Sequence, residues 1–289
     1  MTALVVTRVD TLALVEDSGR QGHRHLGVPP SGAADRTSLG RGNRVVGNDS
    51  GAAGIEILLG GFGVQATTPL VIAVTGAPAP VTVGGRPAPF GEAILLSPGD
   101  ELHLGRVTSG LRIYLTVAGG IAESGSTPRV LGSMSSDPTS SIGPAALQPG
   151  TALAVGLPDR EPHLGVSIPP ITTPPLGLEL PATWGPRADW LSDSGRAALQ
   201  ASRWTVSSHT DRVGVRLDGI AAELARHEQL PSEGLVRGCI QVPPNGTPIV
   251  FLADHPTTGG YPVVAVVDDA ATDRLAQAAP GTPAMLRIR

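Results

Sequence analysis

Leu111-Arg-Ile-Tyr-Leu-Thr-Val117, followed at once by Ala118-Gly-Gly120, is a run of branched, aromatic and aliphatic residues stopped by a turn signal. Branched and ring side chains fit a pleated surface and paired glycines fit a reversal, so the run reads as a strand ending in a turn. The pattern recurs at Leu4–Val9, Ile55–Leu59, Val71–Thr75, Ala93–Leu96 and Glu101–Leu104, and again at Trp204–Ser207, Val213–Leu217, Pro248–Leu252 and Pro262–Val267. Many short strands at this spacing predict a mainly β chain of barrels or sandwiches. Helical pattern is confined to Asp35–Val46, Arg187–Gln200 and Ala271–Ala278. Asp35 is placed to cap the first of these, while Gly40 and Gly42 weaken it by roughly 1 kcal/mol each.

The composition supports this reading. The 289 residues include 38 glycines and 28 prolines, nearly twice their average share of roughly 12%. Charged residues make up only 16% and the net charge is −4, which argues against disorder and against a nucleic-acid partner. All 21 basic residues are arginine. Without lysine this chain can form no Schiff base, offer no P-loop lysine to a nucleotide and carry no biotin. The single cysteine, Cys239, makes no internal disulfide, and no apolar stretch approaches the ~18 residues of a membrane span. Met1–Asp10 alternates apolar and polar residues without a signal-peptide pattern, so a soluble cytoplasmic protein is expected.

Eight prolines stand between Pro158 and Pro186. That density removes ladder donors and blocks helices, so a domain connection is expected there, giving domains 1–165 and 166–289. A short echo, Ser31-Gly-Ala-Ala-Asp-Arg36 against Ser207-Ser-His-Thr-Asp-Arg212, fits two similar halves.

Standard catalytic signatures are missing: there is no Gly-x-Ser-x-Gly elbow and no His-Glu-x-x-His pair, and His23 and His25 lack neighbouring ligands, so no metal site is expected. Cys239 lies between apolar neighbours and reads as a small buried filler. Three other segments stand out. In Gly27-Val-Pro-Pro-Ser-Gly-Ala-Ala-Asp-Arg36, prolines stiffen the loop, Ser31 and Gly32 bend it, and Asp35 leads into the helix that carries Asn43. Glu56 then sits in an apolar strand, where a carboxylate is costly unless an arginine pairs with it or it has a function. The second segment, Ser232 to Pro248, contains Glu233, Gln241 and an Asn245-Gly246 turn signal. The third, Ala253-Asp254-His-Pro-Thr257-Thr258-Gly259-Gly260-Tyr261-Pro262, gathers hydroxyls and glycine amides on one short loop, as an oxyanion or carboxylate site requires.

At these segments the chain resembles the family of the 5-oxoprolinase C subunit, also described as allophanate hydrolase subunit 2, KipA-like or biotin-dependent carboxyltransferase proteins. The family's Gly-Val-Pro-x-Ser-Gly-Ala-Met-Asp is matched by Gly27 to Asp35 with Ala34 in place of Met, and Ala-Asn-x-Leu-Val-Gly-Asn by Gly42 to Asn48 with Gly42 in place of Ala. Tyr114–Ile121, Val130–Ser133, Ser208–Gly219, Ser232–Pro248 and Thr257–Pro262 follow in order, so the resemblance covers essentially the whole chain. At Cys239 the family commonly has alanine, which fits the filler reading.

The resemblance implies two cyclophilin-like β-barrel domains with a few short helices. It also implies a non-autonomous chain that works with a B-type (allophanate hydrolase subunit 1-like) protein and a third oxoprolinase subunit in an ATP-dependent hydrolase opening 5-oxoproline to glutamate. Two alternatives accompany it: a urea amidolyase-type carboxyltransferase using biotin carried on another chain, and a KipA-like regulatory module acting on an inhibitor of a sensor kinase. For amide opening, Asp35, Glu56 and Glu233 are the candidates for acid–base or positioning roles, Thr257, Thr258 and the backbone at Gly259 and Gly260 for polarising the carbonyl, and Tyr261 is a further catalytic candidate. Ser31, Arg36, Asn43, Arg212, Gln241, Asp254, Gly259 and Gly260 are the candidates for binding substrate, with Arg36 or Arg212 taking a carboxylate.

Overall fold

The structure, a computed structural model, describes residues 2–158, 160–170 and 177–289. It divides into two units, Met1–Arg20 with Ser31–Thr172, and Gln21–Pro30 with Thr173–Arg289. This differs from a single cut between 165 and 166, because Gln21–Pro30 groups with the C-terminal unit. Part of the proline-rich connection expected at Pro158–Pro186, namely Asp159 and residues 171–176, lies outside the described residues.

The N-terminal unit contains β1 (Thr2–Val9), β2 (Leu12–Glu16), α1 (Arg36–Val45), β3 (Gly54–Leu58), β4 (Gly60–Ala66) and β5 (Leu70–Gly76). It continues with β6 (Val81–Val83), β7 (Arg86–Pro87), β8 (Ala93–Leu96), β9 (Glu101–Arg106), β10 (Arg112–Val117) and β11 (Ala152–Ala154). These form two sheets, ordered β11-β1-β4-β9-β6-β7 and β2-β3-β10-β5-β8. Every residue of β10 is buried. Its Ile113, Leu115 and Val117 join Ile55, Ile72 and, from the other sheet, Phe62 in one core. Burying each such side chain contributes roughly 1.5–3 kcal/mol. On its opposite face Tyr114 packs with Ala33 and with Leu39 of α1. Covered on both faces, β10 has no exposed side to mark with alternating polar residues.

The C-terminal unit contains β12 (Leu178–Trp184), α2 (Asp193–Ala201), β13 (Trp204–Thr210), β14 (Gly214–Asp218), β15 (Glu233–Gly234) and β16 (Cys239–Gln241). It ends with β17 (Ile249–Phe251), β18 (Thr258–Gly259), β19 (Val263–Val267), α3 (Asp269–Leu275) and β20 (Pro283–Ile288). A closed barrel runs β12-β19-β16-β17-β14-β13-β20, and the short β15 and β18 form a ladder of their own. Closure comes from β20, which pairs parallel with β12 and antiparallel with β13. The Asn245-Gly246 signal is a turn inside the β16–β17 connection, where the Gly246 N–H donates to the Pro243 carbonyl at 2.9 Å. The mainly β class read from the sequence is what forms. No helix among the described residues is long and apolar enough to cross a membrane.

Candidate functional site

In the N-terminal unit the motif loop is locked from beneath. The Asp35 carboxylate accepts the Ser38 N–H at 2.9 Å and the Ser38 hydroxyl at 2.6 Å, so it caps α1 as its sequence position suggests. Glu56 faces Tyr114 across the β3–β10 ladder. Glu56 Oε2 accepts the Tyr114 hydroxyl at 2.6 Å and the Ala34 N–H at 2.9 Å, while Arg112 Nε lies 3.3 Å from Oε1. The Tyr114 oxygen also accepts the Asp35 N–H at 2.8 Å. Burial, followed by the Glu56 and Asp35 charges, holds the Tyr114 hydroxyl well above the ordinary phenol value, so it stays a donor. Glu56 is thus paired with an arginine and fully engaged in positioning the loop.

The loop itself is tightly bent. Ser31 has φ 52° and Gly32 φ 93°, and a Cβ on Gly32 would stand 2.9 Å from the Gly19 nitrogen, so only glycine fits. The Ser31 hydroxyl donates to the Ser136 carbonyl at 3.2 Å. Arg36, the first residue of α1, is partly exposed. Asn43 is buried and donates to the Ala52 carbonyl at 2.7 Å, with its oxygen accepting from Asn48 Nδ2 at 3.0 Å. It pins the chain after α1.

In the C-terminal unit the Thr257–Pro262 loop runs along the short β15–β18 ladder, in which Glu233 opposes Gly259. Arg187 clasps Glu233, with Nε at 2.9 Å from Oε1 and Nη2 also bonded to it. The Arg187 hydrogen bonds hold the Glu233 carboxyl below its ordinary value. The Thr257 carbonyl accepts the Leu235 N–H at 3.0 Å. Thr258, Gly260 and Tyr261 are exposed, and beneath them Gln241 is buried with its Nε2 donating to the Tyr261 carbonyl at 2.7 Å.

Arg212 and Asp254, both buried, hold each other through Nε at 2.7 Å and Nη2 at 3.1 Å. Arg212 is therefore engaged with protein and not held out as a carboxylate receptor. The echoed sequences also differ in shape: Asp211 caps a turn by accepting from Val213 N and Gly214 N, whereas Asp35 caps a helix. Cys239 is buried among Leu235, Phe251 and Val263, and burial pushes its thiol up to about 11. Among the described residues no group of three or more His, Cys, Asp or Glu could hold a metal.

The structure thus collects Ser31, Asp35, Asn43 and Glu56 in one unit. It collects Glu233, Gln241, Thr257, Thr258, Gly259, Gly260 and Tyr261 in the other. Sequence reasoning missed Tyr114, Arg112 and Arg187, whose partners are distant in the chain. It also missed Arg24, which donates to the Leu235 carbonyl at 2.7 Å and ties the Gln21–Pro30 segment into the C-terminal unit.

Residues 26–287 match the family described as carboxyltransferase domain, subdomain A and B. The chain is 34% identical to the 5-oxoprolinase C subunit of Escherichia coli K12, over 97% of this chain and 89% of that protein. It is 32% identical to the 5-oxoprolinase C subunit of Haemophilus influenzae, over 93% and 85%. Urea amidolyase of Saccharomyces cerevisiae is 30% identical over 97% of this chain, which spans 16% of that protein. Among solved structures, TTHA0988 superimposes with a TM-score of 0.88 at 33% identity, over 99% of this chain and 56% of that one. The Kluyveromyces lactis urea amidolyase superimposes with a TM-score of 0.90 at 29% identity, over 98% and 18%.

Proposed function

The chain belongs to the carboxyltransferase domain family with subdomains A and B, and from that membership we propose that it is the C subunit of a multi-subunit, ATP-dependent hydrolase that opens 5-oxoproline to glutamate. The reading rests on two relatives matched along most of their own length: the chain is 34% and 32% identical to two 5-oxoprolinase C subunits, over 89% and 85% of them.

Opening a lactam requires donors at the carbonyl oxygen, where negative charge builds as water adds. The exposed loop supplies the Thr257, Thr258 and Tyr261 hydroxyls and the backbone at Gly259 and Gly260, and Glu233 is the nearby carboxylate. Asp35 and Glu56 act by holding the motif loop, since both are buried in its hydrogen-bond network. The chain has no lysine and so offers no P-loop lysine to a nucleotide's phosphates; the ATP in this reading belongs to the assembled complex.

A second reading, a carboxyltransferase working with biotin on another chain, is favoured by the urea amidolyase match over 97% of this chain. The two part on substrate. With its partner subunits and ATP, the chain is expected to release glutamate from 5-oxoproline. If it instead supports urea carboxylation when given a biotin-loaded carrier and a biotin carboxylase, and releases no glutamate, the carboxyltransferase reading replaces the first.

A further inference from the structure

We propose that the Gln241 side-chain oxygen is the acceptor for the N–H of a small amide or lactam bound at the Thr257–Tyr261 loop, making Gln241 the residue that selects for that N–H; this rests on the reading of the chain as a subunit acting on a cyclic amide. Gln241 is only 2% exposed. Its Nε2 donates to the Tyr261 carbonyl, which can only accept, so the orientation of the amide is fixed and Oε1 is left as an acceptor. No described residue donates to it. Oε1 is not one of the fully buried atoms that lack a partner, so it keeps access to solvent and a ligand N–H can reach it.

Three features keep that oxygen available. The pairing of β16 with β19 slips between Ile240 and Gln241, and such irregularities re-aim side chains beside functional sites. A Cβ on Gly259 would lie 2.8 Å from Gln241 Nε2 and 3.1 Å from Oε1, so glycine leaves room over the amide. The same Cβ would meet Leu235 Cδ1 at 2.9 Å, which makes one wall apolar. Around this acceptor the exposed Thr258 and Tyr261 offer hydroxyl donors. One acceptor flanked by donors is the complement of an amide group, whose N–H gives and whose carbonyl receives. It is a poor match for a carboxylate, which Oε1 would repel.

The test compares 5-oxoproline with its ring-oxygen analogue, 5-oxotetrahydrofuran-2-carboxylate, and with urea, by calorimetry on the full chain and by KM and kcat in the reconstituted complex. The wild type is expected to prefer the lactam over the lactone about tenfold, the scale of one hydrogen bond lost with its partner left buried. Gln241→Met should abolish that preference, and Gly259→Ala should raise the lactam KM about tenfold. A folded Gln241→Met that keeps the preference overturns the inference. If that variant does not fold, an unchanged lactam KM in Gly259→Ala overturns it. Glutamate release with the preference intact in Gln241→Met would leave the hydrolase reading standing and sink the Gln241 assignment. Gln241-dependent binding of urea without glutamate release would do the reverse.

Discussion

The Tyr114 hydroxyl donates to Glu56 and accepts from the Asp35 backbone, so one oxygen fastens the strand beneath to the loop above. Tyr114→Phe strands the Asp35 N–H and loosens Glu56, and should cost roughly 1–3 kcal/mol in a denaturant melt while leaving the core packing intact. Cys239 behaves in the opposite way. With its thiol pushed up to about 11 and buried, it should resist iodoacetamide in the native protein at about pH 8 and react once unfolded, and Cys239→Ala should change neither activity nor melting noticeably. An inactive but folded Cys239→Ala would restore the thiol as a catalytic group. Glu233 is held below its ordinary value by Arg187, so the clasp contributes above the unfolded carboxyl's range near ~4.3 and is lost as pH falls through the lowered folded value. In a carboxyl-resolved NMR titration, Arg187→Met should move Glu233 upward, and an unmoved Glu233 would mean that the clasp does not form in solution.

At the level of elements, the Thr257–Pro262 loop carries β18, one strand of the small ladder, and leads directly into the barrel strand β19. Thr258→Val and Tyr261→Phe should therefore cut the rate of the assembled enzyme without shifting its melting, by up to ~10²–10³ if either hydroxyl is a preorganised donor. Wild-type kinetics in both would move the reaction away from this loop. Strands β5, β10 and β19, rich in β-branched residues, were legible because pattern and propensity agree there. So was α1, whose cap is Asp35 and whose Gly42 is explained only in three dimensions: a Cβ there would come within 2.9 Å of the Thr75 and Thr116 hydroxyls. The helix trades propensity for a close seat on the sheet. β4, with glycine at 60, 61 and 63, reads as turn, and β12 and β20 carry Pro181 and Pro283, which argue locally against strands. Strand pairing outweighs those local preferences: β4 is held between β1 and β9, while β12 and β20 close the barrel. The site was half legible for a related reason. Loop hydroxyls and acids declare themselves in sequence, but whether Arg212 is available or Arg187 is the clasp depends on partners far along the chain, at Asp254 and Glu233.

For the molecule as a whole, the sequence supplies acids, hydroxyls and a shaped acceptor but no lysine, no recognisable triad and no metal cluster among the described residues. In the proposed reading the chain works with partner subunits, in keeping with relatives that are named 5-oxoprolinase C subunits. Leu95, Leu157 and Leu164 also stand exposed on the N-terminal unit, apolar surface that a stable partner would bury. Co-expression with a B-type partner protein should give one peak on size exclusion at micromolar concentration, and two separate peaks would count against stable association. The most direct test is glutamate release from 5-oxoproline with ATP, measured for this chain alone, for the partner subunits alone and for all together. Turnover is predicted only in the complete mixture, and robust turnover by the chain alone, or by the partners without it, would contradict the account.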